Sequence, residues 1–394
     1  MRGKDLIVAT LFGGAGGGGG CGGGGGAVAV SPKEVNFYDY DGTCVHAYTV
    51  AEAQKLSELP AAPEHPGLVF QGWNWSLEDV KGLTRAMNIG AMYTTDDGTT
   101  RLYITLQEGR TSPMLGVGVN GTVTVDWGDG TEPDVLTGNN VENPVFTKNH
   151  AYASPGDYVI RLTVDGEMGI VGSNTSMVYC QLMLHKSTGD TMNYTYHGAL
   201  RKIEIGDNVS TIYSAAFRDC YNLSTVSFPT AVKFSSPTYT FKDCAVLKHV
   251  NIPHGVTYVG NYAFDSCRNI SGVVFPNSIT KLSDYSFKSC QAMPHLTIPD
   301  GVADIPKSFL SFSYCLTKVF VPSSVKTIQS SSFDAAYGMA CFDFTSHATV
   351  PTLASTSAFT GIPSDCEIRV PAALYDEWIA ATNWATYASQ IKAY

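Results

Sequence analysis

Residues 247–267 read LKHVNIPHGVTYVGNYAFDSC, and residues 270–290 read ISGVVFPNSITKLSDYSFKSC. Laid over one another, the two segments share a leading aliphatic residue, apolar residues at the fourth and sixth places and a proline at the seventh. They also share an aliphatic residue at the thirteenth place, phenylalanine at the eighteenth and cysteine at the last. Outward from this pair the same unit begins at Leu200, Leu223, Leu247, Ile270, Met293, Leu316 and Met339, at intervals of 23 residues and once 24. Self-similarity at such a period marks a solenoid, in which each unit buries its apolar face only against its neighbours. Two apolar residues separated by one polar residue, closed by proline, describe one short strand per coil. The inward pairs are Ile203/Ile205, Val226/Phe228, Val250/Ile252, Val273/Phe275, Leu296/Ile298 and Val319/Val321.

The phenylalanines form a second series: Phe217, Phe241, Phe264, Phe287, Phe312, Phe333 and Phe359. Phe312 falls two residues late, so the fifth coil is expected to bulge. Cys220, Cys244, Cys267 and Cys290 recur at equal places, with Cys315 placed in the same series after that bulge. Neighbouring coils are about 4.8 Å apart, and Ala336, which can neither ligate nor cross-link, holds the place in the sixth coil. The series therefore reads as a ladder of small buried side chains rather than disulfides or a metal site. After Val370-Pro371, the spacing of Leu374, Trp378, Trp384, Tyr387 and Ile391 predicts helical turns, interrupted near Asn383, that cap the last coil. The pattern L..V.IP..V..I...AF..C resembles the BspA-like leucine-rich repeat. That resemblance implies a solenoid over residues 190–394 that acts by binding.

Upstream, Val35-Asn36-Phe37-Tyr38 alternates like a strand, Asp41-Gly42 suits a hairpin turn, and Thr49 to Leu59 reads as a short helix. Ser76 with Asp79 has the form of a capping box. The stretch FYDYDGTCVHAYTVAEAQKLSELPAAPEHPGLVFQGWNW resembles the Listeria–Bacteroides (internalin B-type) repeat, which implies a β-grasp module over residues 31–87. Trp75 goes beyond that family's usual Gly-Trp ending, here Gly72-Trp73. In residues 88–186, VDWGDG at 125–130 and HAYASPGDYVIRLTV at 150–164 resemble PKD domains, which implies an immunoglobulin-like β-sandwich. Asp126 and Asp129 flank Trp127 and could in principle work as acid and base. Their place in a turn favours a structural role.

Residues 1–30 form a glycine-rich leader. Leu6 to Phe12 has the form of a signal h-region but runs into glycine rather than a cleavage site, so a cleaved signal is not expected; a lipid on Cys21 would be poorly supported by its glycine neighbours. Residues 13–26 are almost all glycine, too poor in apolar area to offset ordering by themselves. The G-x-G-x-x-G matches there lack a strand–helix context and carry no meaning. The opening KDLIVATLFGGAGGGGGCGGGGG resembles leaders of prophage-encoded structural proteins.

The fold class expected is therefore mainly β and multidomain. Charged residues make up 15% of 394, against the usual quarter or so, and the net charge is −10. A duplex nucleic-acid partner would be repelled, and no apolar run is long enough to span a membrane. No H-E-x-x-H, G-x-S-x-G or P-loop occurs, so neither catalysis nor a cofactor or metal is expected.

The expected function is surface recognition by the outward strand residues, notably His249, Asn251, Val274, His295, Thr297 and Phe320. Gly272 leaves a dip between the two histidines. Tyr258, Tyr262 and Tyr285, on the other edge, are a second candidate patch. The partners expected are a bacterial surface glycan or protein and other virion proteins. The setting expected is a phage tail or fibre, with a secreted or cell-surface adhesin as the alternative. An accessory module of a carbohydrate-active enzyme is the alternative from another class.

Overall fold

The computed structural model describes residues 29–172, 180–186, 192–193 and 195–394. The glycine tract, Cys21 and the signal-like opening lie outside the described residues.

The first unit is a four-stranded mixed sheet in the order 44–48, 35–38, 87–95, 68–73. Strand 35–38 is antiparallel to 44–48 and parallel to 87–95. Gly42 makes the connecting turn at φ +91°, a conformation that costs a side-chain-bearing residue energy. Both short helices, 50–53 and 77–81, begin with capping boxes, Thr49 with Glu52 and Ser76 with Asp79. The first helix ends at Ala53, well short of Leu59. Val35, Phe37, Val80, Ile89 and Tyr93 form the unit's own core. Strand 87–95 lies inside the sheet, so the expected boundary at residue 87 is moved past Thr95.

The next four strands hydrogen-bond in the order 134–146, 116–126, 156–170, 100–106. Strand 100–106 then pairs with 200–204, and the end of 156–170 pairs in parallel with 209–212. One sheet thus runs directly into the first solenoid coil. The separate two-sheet sandwich expected for residues 88–186 is not what these strands form. Leu102, Ile104, Val123 and Trp127 share one continuous core with the solenoid, so this region closes the solenoid's open N-terminal end. Asp129 accepts hydrogen bonds from the Thr131 amide and hydroxyl and pairs with His150 at 2.8 Å, while Asp126 accepts from the Gly128 amide. Both carboxylates hold the turn.

The coils stack as two columns, or ladders, of parallel strands, each hydrogen-bonded in successive runs. One contains 200–204, 225–227, 249–251, 272–274, 295–297, 318–320, 341–343 and 367–370; the other contains 209–212, 233–234, 258–259, 281–282, 304–305, 327–328 and 352–353. Every inward residue of the repeat is buried. Phe217, Phe241, Phe264 and Phe287 stack face to face at 5.0, 5.2 and 5.0 Å. Cys244, Cys267 and Cys290 lie 3.1, 3.0 and 3.3 Å from the carbonyls of Phe217, Phe241 and Phe264 and donate to them.

The fifth coil corrects two expectations. Leu310, 23 residues after Phe287, occupies the ring position and is fully buried. Its amide bonds Ser332, as the Phe287 amide bonds Phe309. Ser313 takes the cysteine's place and donates to the Phe287 carbonyl at 3.4 Å. Phe312 and Cys315 are exposed. No insertion is present. The period of 23 residues is kept through this coil, with Leu310 and Ser313 in the ring and cysteine places.

At the C-terminus, helix 375–380 and the turn 384–387 seat Trp378 and Trp384 against Phe344. Asn383 breaks the helix at φ +66°. Ile391 does not continue the helix; residues 391–393 form a last strand on the first ladder.

Candidate functional site

The outward face of the first ladder is the expected recognition surface, and the repeat's prolines shape its chemistry. In a parallel ladder each residue donates to one neighbour on the next strand and accepts from another. The Ile252 amide donates to the Val274 carbonyl at 2.9 Å. The reciprocal bond to the Ile252 carbonyl would come from residue 276, which is proline and has no N–H. Pro253, Pro299 and Pro322 deprive Phe228, Phe275 and Ile298 in the same way. A buried carbonyl without a donor is costly.

The N-terminal module supplies the missing donors, one per coil. The Tyr93 amide reaches the Phe228 carbonyl at 3.2 Å. Asn74 Nδ2 reaches that of Ile252 at 2.9 Å, and Trp75 Nε1 that of Phe275 at 2.8 Å. Arg85 Nη2 reaches that of Ile298 at 3.2 Å. Asn74 is itself fixed by the Gly90 amide at 2.8 Å. Four module donors therefore read four consecutive proline-deprived carbonyls.

The expectation that His249, Asn251 and Val274 face solvent is corrected by this docking. All three are buried, Asn251 to 3% and Val274 to 1% exposure. Asn251 donates to the carbonyls of Ala91 and Asp39 at 3.0 and 3.3 Å, and its Oδ1 pairs with His249 Nε2 at 2.8 Å. These side chains press so closely on the module backbone that a Cβ at Gly90 would stand 2.4 Å from Asn251 Cγ, and one at Gly42 would stand 2.8 Å from His249 Cβ. Burial pushes the His249 imidazole down to about 4. Phe320 lies beneath the Arg85 guanidinium, 4.5 Å from ring centre to carbon, and Arg85 also pairs with Asp300 at 2.7 Å.

Beside the docked surfaces a cleft of about 900 Å³ opens between the module and the coils that begin at Ile270 and Met293. Of the expected residues, His249, Val274, His295 and Thr297 line it together; Asn251 and Phe320 do not. Gly272 forms the expected dip, where an added Cβ would meet His249 Nδ1 at 3.1 Å. Tyr38 and Trp75 line the opposing wall, and Tyr38 packs on the His249 ring at 5.4 Å. Burial first, and Lys318 second, hold the His295 imidazole below its ordinary range.

The tyrosines stand apart from this cleft. Tyr239, Tyr262 and Tyr285 stack at 5.2 and 4.6 Å, each half-buried in the left-handed region of backbone space. Tyr258 sits half-buried on the second ladder. Asn74 and Arg85 escaped sequence reasoning. Their signals were indirect: Trp75 beyond the family pattern, and prolines recurring opposite carbonyls. Among the described residues no cluster of three or more metal-ligating side chains occurs, and no helix is long and apolar enough to cross a membrane.

Residues 186–237 and 234–362 match the BspA type leucine rich repeat region, in six copies. No curated protein matches the chain. Among solved structures, a T. pallidum leucine rich repeat protein is 22% identical over 41% of this chain and 76% of its own, with a TM-score of 0.35. A leucine-rich repeat protein from Bacteroides ovatus is 17% identical over 52% and 56%, with a TM-score of 0.33. A leucine rich cell surface protein from Faecalibacterium prausnitzii is 15% identical over 59% and 98%, with a TM-score of 0.21. Residues 186–362, with their stacked parallel strands and their repeat match, are a run of leucine-rich repeats of BspA type.

Proposed function

We propose that this is a non-enzymatic recognition protein that holds a bacterial surface glycan or protein in the cleft between its N-terminal module and its solenoid. The observation that carries the reading is the composite cleft itself: a concave site at a module interface, walled by aromatic rings and lined by dispersed polar groups. Leucine-rich repeats of this type are generally binding modules. The resemblance of residues 31–87 to an internalin B-type β-grasp repeat supports the same reading. We place the protein in a phage tail or fibre, on the resemblance of its leader to prophage-encoded structural proteins.

Two measurements test this. Labelled full-length protein should bind intact bacteria of a susceptible strain, and Thr297→Trp, which fills the cleft, should abolish that binding. Equal binding by the variant rejects the cleft. Gradient-purified particles from an induced lysate should contain the chain; its recovery only on washed cells rejects the virion and favours the adhesin.

A further inference from the structure

We propose that the cleft is a subsite for an uncharged oligosaccharide. This inference rests on the recognition reading above and adds the ligand's chemical class. The charges that reach the cleft are already paired. Asp300 is held by Arg85 at 2.7 Å, and the Lys318 ammonium lies 3.8 Å from the Asp343 carboxylate. The two lining histidines are neutral at physiological pH, because burial disfavours their cations. Among the described residues, the lining therefore offers no unpaired cation for a phosphate, sulfate or uronate and no unpaired carboxylate for an amine.

What remains is the inventory that sugars use. A ring face covers the apolar C–H surface of a pyranose, and half-buried Tyr38 stands on one wall with the nearly buried Trp75 beside it. Amides and hydroxyls exchange hydrogen bonds with sugar hydroxyls, and Asn88, Asn277, Ser271 and Thr297 supply them. Pro276 and Pro299 stiffen the solenoid side, and Gly272 leaves its floor open. Such a site is pre-formed, so little ordering is required on binding.

The test uses the full-length chain on an array of neutral, uronate-containing, sialylated and phosphorylated oligosaccharides, alongside whole-cell binding. Neutral oligosaccharides should bind, with an affinity unchanged between low and high salt, because no charge contact is available for screening. Thr297→Trp and Asn277→Trp should each weaken binding by about tenfold or more. Lys281→Ala, exposed on the second ladder and outside the cleft, should leave it unchanged. Unaltered thermal melts for all three would establish that the variants fold. A preference for acidic glycans, or a steep loss of affinity with salt, overturns the inference. Binding to cells that a protease treatment of the cells abolishes, with no neutral glycan bound, also overturns it while leaving the recognition reading standing. Absence of binding to both cells and array overturns the two together.

Discussion

At the scale of single residues, the unusual positions are those where the module meets the solenoid. Trp75 is nearly buried, and its indole N–H ends on a carbonyl that Pro299 leaves without a ladder partner. Trp75→Phe keeps an aromatic ring in the packing but removes that donor and part of the indole's buried volume. It should cost about 1–3 kcal/mol, the range for orphaning a buried acceptor, read as a lower urea midpoint at unchanged slope. His249 has a pH signature. Its folded-state value is about 4 against an ordinary 6.5. The unfolded chain takes up a proton below pH 6.5, whereas the folded chain resists until about pH 4. Stability is therefore intact above pH 6.5 and declines as the pH falls toward 4, by about 3 kcal/mol from this residue. His197 is likewise held at about 4 and steepens the decline. Unfolding midpoints measured across pH 4–8 should show this slope, and His249→Gln should flatten it.

At the scale of the element, the coil was largely legible because its signal repeats. The inward aliphatic pairs, the strand-ending prolines and the cysteine ladder each recur often enough to be counted. The exception is instructive. In the fifth coil the ring position holds Leu310, and Phe309 beside it turns its ring into the core, edge-on to Phe287 at 5.5 Å and to Phe333 at 6.5 Å. The coil keeps its length and its aromatic volume by moving the ring one residue along the chain. Leu310→Phe restores the repeat's pattern yet overpacks this layer. It should destabilise by about 1–3 kcal/mol, and adding Phe309→Ser should recover much of that loss in a double-mutant cycle. If Leu310→Phe alone stabilised the protein, the packing described for this coil would be wrong.

At the scale of the whole molecule, the strands of residues 100–170 and the coils share one core, and the module is bonded to four coils at once. These contacts join residues about 130–215 positions apart, and no local periodicity announces them. The prolines were readable as strand ends; that they also orphan carbonyls emerges only when coils are stacked. The expected open recognition face is for that reason mostly a module-binding face, and the proposed recognition site is the cleft at its margin. The strands of 100–170 and the solenoid should therefore melt together in calorimetry; separate transitions would contradict a shared core.

The docking of the module is tested most directly by modifying histidines with diethyl pyrocarbonate in the native protein and locating the adducts by mass spectrometry. His254 is exposed on the same coil as buried His249 and serves as the internal reference. The account predicts rapid labelling of His254 and strong protection of His249, with the protection lost on unfolding. Equal labelling of both in the folded protein would mean that the module does not cover the solenoid face.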